Sequence, residues 1–115
     1  MFEETDCLKN DSIVYIAGKY LGKTPEETEL NIIRAREAML RLSREGWFVY
    51  CPHSHSSGFE IYEDIPNEFW YQHGELILSK CNAIYMLEGW EESKGAIREL
   101  ELALDLGLPV FYEVE

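Results

Sequence analysis

The stretch Ala83-Ile84-Tyr85-Met86-Leu87, followed after Glu88 by Gly89-Trp90-Glu91-Glu92-Ser93-Lys94-Gly95-Ala96-Ile97-Arg98-Glu99, decides the fold. Five consecutive non-charged, largely apolar residues between polar neighbours read as a strand covered on both faces, the pattern of a parallel sheet. Gly89 marks the loop, and Ser93 is a good N-cap for the helix behind it. The free N–H groups of that helix start make a ready place for an anion or polar ligand. Gly95 and Glu99 are four apart and share a helical face. Helical side chains lean toward the N-terminus, which carries the Glu99 carboxylate back over Gly95, a residue with no side chain to block the space. Two readings follow. Glu99 is a nucleophile aimed at a ligand held at the helix mouth, or Ser93 is only a cap and Glu99 only a solvated helix residue.

Working outward, residues 12–17 are a short apolar, β-branched run and predict a buried first strand ending at Gly18. Thr24-Pro25-Glu26-Glu27 is a capping box with proline at the first helical position. The helix it opens carries Ile32, Ala35, Met39 and Leu42 on one face and stops at Gly46. A second strand is expected over 47–51, then a long polar and aromatic loop over 52–66. A helix over 67–80 is expected to pack Phe69 and Leu76 inward, with Trp70 and Ile77 beside them. A third strand over 82–87, a third helix over 93–106 and a fourth strand over 108–112 complete the chain. Strands alternating with helices predict an α/β domain with a single small doubly wound parallel sheet, a flavodoxin-like or Rossmann-like three-layer sandwich. Residues 1–11 read as a polar N-terminal tail and residues 12–115 as one domain.

In open parallel sheets ligands sit beyond the carboxyl ends of the strands, near the reversal of strand order. Loops 18–23, 52–66 and 88–92 all follow strands, so they share one rim and converge on one candidate site with Tyr15, Ser93 and Glu99.

The pattern Ser93, Gly95, Glu99, with Ala103 and then Gly107-Leu108-Pro109-Val110, resembles the nucleoside 2-deoxyribosyltransferase-like superfamily. Val14-Tyr15-Ile16-Ala17-Gly18 is similar to its first strand and glycine turn. The likeness is greatest to small members carrying a Gly-Trp-Glu-x-Ser-x-Gly-Ala motif, and it runs from about Ile13 to Tyr112. The resemblance implies cleavage or transfer of an N-glycosidic bond. Glu99 would attack the anomeric carbon of a nucleoside or nucleotide sugar, with Tyr15 orienting its carboxylate. The positive end of the helix would keep Glu99 ionised. Ser93, Gly95 and Ala96 would bind a 5′-hydroxyl or 5′-phosphate, and Gly18, His53 and Trp90 would complete the substrate site. The resemblance implies no cofactor and a homodimer or larger homo-oligomer.

This chain departs from the family in two places. Gly74 stands where the enzymes carry an Asp on the helix before the third strand; neighbouring Glu75, the candidate second carboxylate, or His73 would substitute only with a small register shift, since one residue turns a helix by about 100°. Asn82 stands where a second Asp opens that strand. Both departures suit the alternative of a non-catalytic nucleotide- or nucleoside-binding module, and an acidic interaction protein is a third reading.

A net charge of −12 argues against nucleic-acid or anionic-membrane partners. Lys19, Lys23 or Lys94 would be left to hold a small anion. No run approaches the roughly 18 apolar residues of a membrane span. Three cysteines without tight spacing, Cys7, Cys51 and Cys81, suit a cytoplasmic protein. Cys51-Pro52-His53-Ser54-His55 suggests metal at first sight, but four-ligand zinc wants a second Cys/His pair nearby and the sequence has none, so no metal is expected. Trp90 is either a hydrophobic plug or a stacking platform for a base.

Overall fold

Alternate residues along each strand face opposite sides of a sheet, and both sides are apolar here. Val14, Ile16, Ala83, Tyr85 and Leu87 point one way; Tyr15, Ala17, Ile84 and Met86 point the other, and all are buried. The computed structural model describes residues 12–52 and 64–114. Its elements are β1 (Ile13–Ala17), α1 (Pro25–Arg44), β2 (Phe48–Tyr50), α2 (Asn67–Ser79), β3 (Ala83–Met86), a short 3-10 turn (Trp90–Glu92), α3 (Lys94–Asp105) and β4 (Val110–Tyr112). The four strands form one all-parallel sheet in the order β2-β1-β3-β4. Helix α1 covers the first face through Ala35, Ala38 and Leu42, joined by Trp47. Helices α2 and α3 cover the second through Leu78, Ala96, Leu100 and Ala103. The protein is therefore a three-layer α/β sandwich. Among the described residues no helix is long and apolar enough to cross a membrane.

The local signals act as their chemistry requires. Thr24 accepts a bond from the Glu27 N–H at 3.1 Å and caps α1, with Pro25 as its first residue. Gly46, at φ +97°, takes the left-handed turn that ends it.

Helix α2 corrects the expectation for its inward face. Phe69 and Leu76 remain 47% and 64% exposed, while Gly74 and Leu78 are buried and Ile77 is half-buried. Phe69 and Leu76 lie seven apart and form a plausible stripe of their own. The helix instead turns Gly74 toward the sheet, because only there can its backbone approach Tyr15 closely.

Strand order reverses between β1 and β3, and their ends meet tightly. The Leu87 N–H donates to the Ala17 carbonyl at 2.8 Å. A Cβ on Gly18 would lie 2.8 Å from the Leu87 Cβ. Gly18→Ala therefore forces a shift near the backbone, and a loss of about 1–3 kcal/mol in urea unfolding is expected. Unchanged stability would contradict this packing.

Candidate functional site

Helix α3 begins as its sequence dictates. Ser93 has an extended backbone, and its Oγ accepts from the Ala96 N–H at 3.1 Å. The Ile97 N–H goes to the Ser93 carbonyl at 3.0 Å. One turn on, Glu99 turns toward the second face of the sheet, where Tyr15 rises from the middle of β1. The Tyr15 hydroxyl donates to Glu99 Oε2 in a short hydrogen bond. Tyr15 itself is fully buried, its ring 5.6 Å from that of Tyr50. Above the pair lies Gly74 of α2. A Cβ there would stand 2.9 Å from the Tyr15 hydroxyl and 3.5 Å from Glu99 Oε2.

Glu99 as a residue keeps some exposure, but its carboxyl group is enclosed. Burial pushes its pKa up to about 7; the Tyr15 hydrogen bond pulls the other way, and the negative charge of Glu75 adds to the rise. The expectation of a carboxylate held ionised by its own helix is thus corrected. Desolvation outweighs the dipole, which is strongest in the first turn and has faded by the position of Glu99. Burial, then the charge and hydrogen bond of Glu99, raise the Tyr15 pKa far above its ordinary value, so Tyr15 is a neutral donor at every working pH. Burial also lifts Tyr50 to about 12 and Cys81 to about 11. The site is therefore a carboxyl group that titrates near neutrality, braced by one fixed hydroxyl in an apolar wall. Tyr15→Phe removes the brace, and the Glu99 midpoint should move above 7. A carbon-13 titration of the glutamate carboxyls checks this directly; a Glu99 midpoint near 4.5 in either protein would contradict it.

Helix α2 is tied to α3 by Arg98. Its Nε donates to Glu75 at 2.7 Å and its terminal nitrogen to Glu68 at 2.8 Å. The guanidinium also lies 5.0 Å from the centroid of the Tyr71 ring. These bonds hold the Arg98 proton more firmly than usual, and Arg98 in turn depresses the pKa of Glu68. Glu75, the candidate second carboxylate, thus faces Arg98 rather than Glu99's hydrogen-bonding partner, and reaches Glu99 only through its charge. The space over Gly95, expected to be open, holds the Tyr71 ring. A Cβ on Gly95 would meet Tyr71 Cε1 at 3.2 Å.

The other candidates are spread around the rim. Gly18 is packed on Leu87, and Ala96 is buried in the core beneath α3. Trp90 packs against the same core cluster, its ring 6.0 Å from Tyr112, which is the arrangement of a plug. His53 lies outside the described residues. Lys19 is bound to Glu92 at 2.9 Å and to Glu27 at 3.4 Å. Asn82 sits at the opposite end of the sheet from the rim. Its Oδ1 accepts from the Ile13 N–H at 2.9 Å and its own N–H reaches the Ile13 carbonyl at 2.8 Å. An uncharged amide suits that tie between β1 and β3, and its position removes it from the chemistry.

A cleft of about 620 Å³ opens on the other side of the rim, between α1 and the ends of β1, β3 and β4. Its walls mix Lys19, Arg34 and Arg41 with Glu37, Glu92 and Glu113. The buried Glu99–Tyr15 pair is the stronger chemical signal, because enclosed titratable groups are costly to keep without a use.

Tyr71 and Arg98 were not apparent from the sequence as site residues. A signal was present: Gly74 and Gly95, each on a helix, mark a close pairing of α2 with α3. The residues beside them, Tyr71 and Arg98, are then forced to meet.

The family model for a domain of unknown function, DUF4406, matches residues 12–112. The chain belongs to that family. No curated protein matches it. Among solved structures, a 2-deoxyribosyltransferase from Bacillus psychrosaccharolyticus superposes with a TM-score of 0.59 at 16% identity, over 90% of this chain and 77% of that one. The likeness to the nucleoside 2-deoxyribosyltransferase-like superfamily thus holds at the level of the fold.

Proposed function

We propose that this DUF4406 protein cleaves or transfers the N-glycosidic bond of a nucleoside, with Glu99 as nucleophile and Tyr15 as its positioning donor. The observation that carries the reading is the enclosed Glu99 carboxyl, titrating near 7 against a hydroxyl on the central strand. The shared fold with a deoxyribosyltransferase supports the choice of substrate class. In the first step the ionised Glu99 forms a bond to C1′ as the C1′–N bond breaks. The electron pair leaves with the base, which takes up a proton from water. Water or a second base then attacks C1′, Glu99 departs as carboxylate, and the attacking group loses its proton. The logic is that of a retaining glycosidase, with a carboxylate trapping an oxocarbenium-like centre. Tyr15 stabilises the carboxylate whenever it is released.

The charge of −12 supports a small uncharged substrate over a nucleic acid. A cytoplasmic homo-oligomer fits this reading, and size-exclusion chromatography with light scattering checks the oligomer. The experiment for the function is free-base release from a panel of nucleosides and 5′-nucleotides. Release supports the enzyme. Thermal stabilisation by one of them without release would overturn catalysis in favour of a binding module, the reading that Gly74 and the engagement of Glu75 by Arg98 favour.

A further inference from the structure

Two carboxylates of α2 lie on the side of the site that Gly74 closes, and one guanidinium of α3 meets both. Glu75 follows Gly74, where a Cβ would stand 3.5 Å from Glu99 Oε2, so its charge lies close to the reactive carboxyl. The Glu75 side chain is 26% exposed against 55% for Glu68, so water and salt screen it less. Arg98 holds Glu75 with two bonds, Nε to Oε2 at 2.7 Å and a terminal nitrogen to Oε1 at 3.3 Å. Its terminal nitrogens also reach Glu68, at 2.8 and 3.3 Å. A planar fork of donors suits two carboxylates as a lysine ammonium would not.

The cluster does more than join two helices. One positive charge against two negative ones leaves it a net single negative charge, beside a group that must ionise to react. Like charges at close range disfavour ionisation, and the negative charge of Glu75 already adds to the rise in the Glu99 pKa. Without Arg98 that opposition would double. From the strands, Glu99 meets only hydroxyls that burial keeps neutral, Tyr15 on β1 and Tyr50 on β2. On α2, the ring of His73 packs with Trp70 at 5.7 Å and Phe69 at 5.9 Å. The positive charge bonded to both carboxylates is that of Arg98, which also precedes Glu99 on α3.

We propose that Arg98 is a positioning residue for the chemistry of Glu99: by offsetting Glu75 and Glu68 across the α2–α3 seam, it keeps Glu99 able to ionise near neutral pH. The inference rests on Glu99 as the reactive group, but a titration reads it with no substrate present.

The test follows the Glu99 carboxyl by carbon-13 titration in the wild type, Arg98→Met, Arg98→Lys, Glu75→Gln and the double variant Arg98→Met/Glu75→Gln. Arg98 is 39% exposed and methionine keeps the length of its stem, so truncation spares the core. Arg98→Met adds one net negative charge to the cluster and should raise the Glu99 midpoint by about one pH unit. Glu75→Gln removes one and should lower it by about as much. The double variant restores the original balance and should return the midpoint to that of the wild type. Arg98→Lys keeps the charge and should stay within about half a unit. A strut with no electrostatic part would not be rescued by neutralising Glu75. An unmoved or lowered midpoint in Arg98→Met, or a double variant displaced as far as Arg98→Met alone, would overturn the proposal. If Arg98→Met does not fold, an unmoved midpoint in Glu75→Gln overturns it alone. The pH at which base release rises should move with the midpoint. Midpoints that shift as expected with no base release in any variant would uphold the coupling of Arg98 to Glu99 and overturn the catalytic reading of Glu99.

Discussion

Glu99→Gln should abolish base release, by at least about 1,000-fold in kcat/KM, while leaving the fold intact. An amide keeps the size of the side chain and still accepts the Tyr15 hydroxyl, so the site is preserved and only the nucleophile is lost. The same substitution has a second, opposite signature. The folded-state pKa of Glu99 is about 7, against an ordinary value of 4.5. Between those values the folded protein holds a proton that the unfolded chain has released. Stability from this group is therefore fully present below about pH 4.5 and is lost as the pH rises through 7. The displacement corresponds to about 3 kcal/mol. Glu99→Gln cannot ionise, so above pH 7 it should be more stable than the wild type, and the two should converge toward pH 4.5. Urea unfolding at pH 5 and pH 8 measures this, and a wild type that outlasts Glu99→Gln at pH 8 would contradict it. Activity runs the other way: the nucleophile is the ionised form, so base release should rise with pH through about 7. The group that costs stability above neutrality is the group that does the chemistry.

Placing at position 74 the carboxylate that the resemblance implies for the deoxyribosyltransferase-like enzymes should damage this protein rather than improve it. Gly74→Asp puts a Cβ 2.9 Å from the Tyr15 hydroxyl, at a point where Tyr15 is fixed in the central strand and Gly74 in the helix backbone. Its carboxylate would also crowd Glu99 within an apolar wall. Like charges in such a place cannot both ionise cheaply, and an uncompensated buried charge costs about 3–5 kcal/mol. A loss of about 3 kcal/mol at pH 8 is expected, with the Glu99 midpoint driven higher and activity at pH 7 falling about 100-fold. Gly74→Ala separates crowding from charge. Alanine gains about 1 kcal/mol of helix propensity over glycine, which partly offsets the overpacking. Its net loss should be well below that of the aspartate and independent of pH. Equal effects of the two substitutions would show that charge plays no part. A gain of activity in Gly74→Asp would show that the Tyr15–Glu99 pair is not the working arrangement.

The strand and helix order was legible because each element carries its own chemistry. The apolar runs at 83–87 and 13–17 fit only covered strands, and Thr24-Pro25 and Ser93 open their helices by capping. Sheet topology put Tyr15 near the rim from which Glu99 rises, but their pairing was implied only by the resemblance, and the structure brings the two together. The inward face of α2 was not legible. Phe69 and Leu76 are the more apolar residues, but the phase of the helix is set by where backbone can come nearest to Tyr15, and that is a property of Gly74. The rise in the Glu99 pKa was missed for a similar reason. A sequence shows the helix dipole, while the desolvation that overrides it comes from residues of α2 and β1, distant in the chain. Nor does spacing within one helix reveal that Arg98 would take Glu75 and Glu68 from another and bring Tyr71 down over Gly95.

The most direct test of the account is to ask whether sugar becomes attached to Glu99. The wild-type protein would be incubated with 2′-deoxyadenosine, quenched in acid, and analysed by intact-mass and peptide-mapping mass spectrometry. The account predicts one added deoxyribosyl group, carried on the Glu99 side chain in the α3 peptide and absent from Glu99→Gln. Base release without any label on Glu99, or a label mapped to another residue, would contradict it.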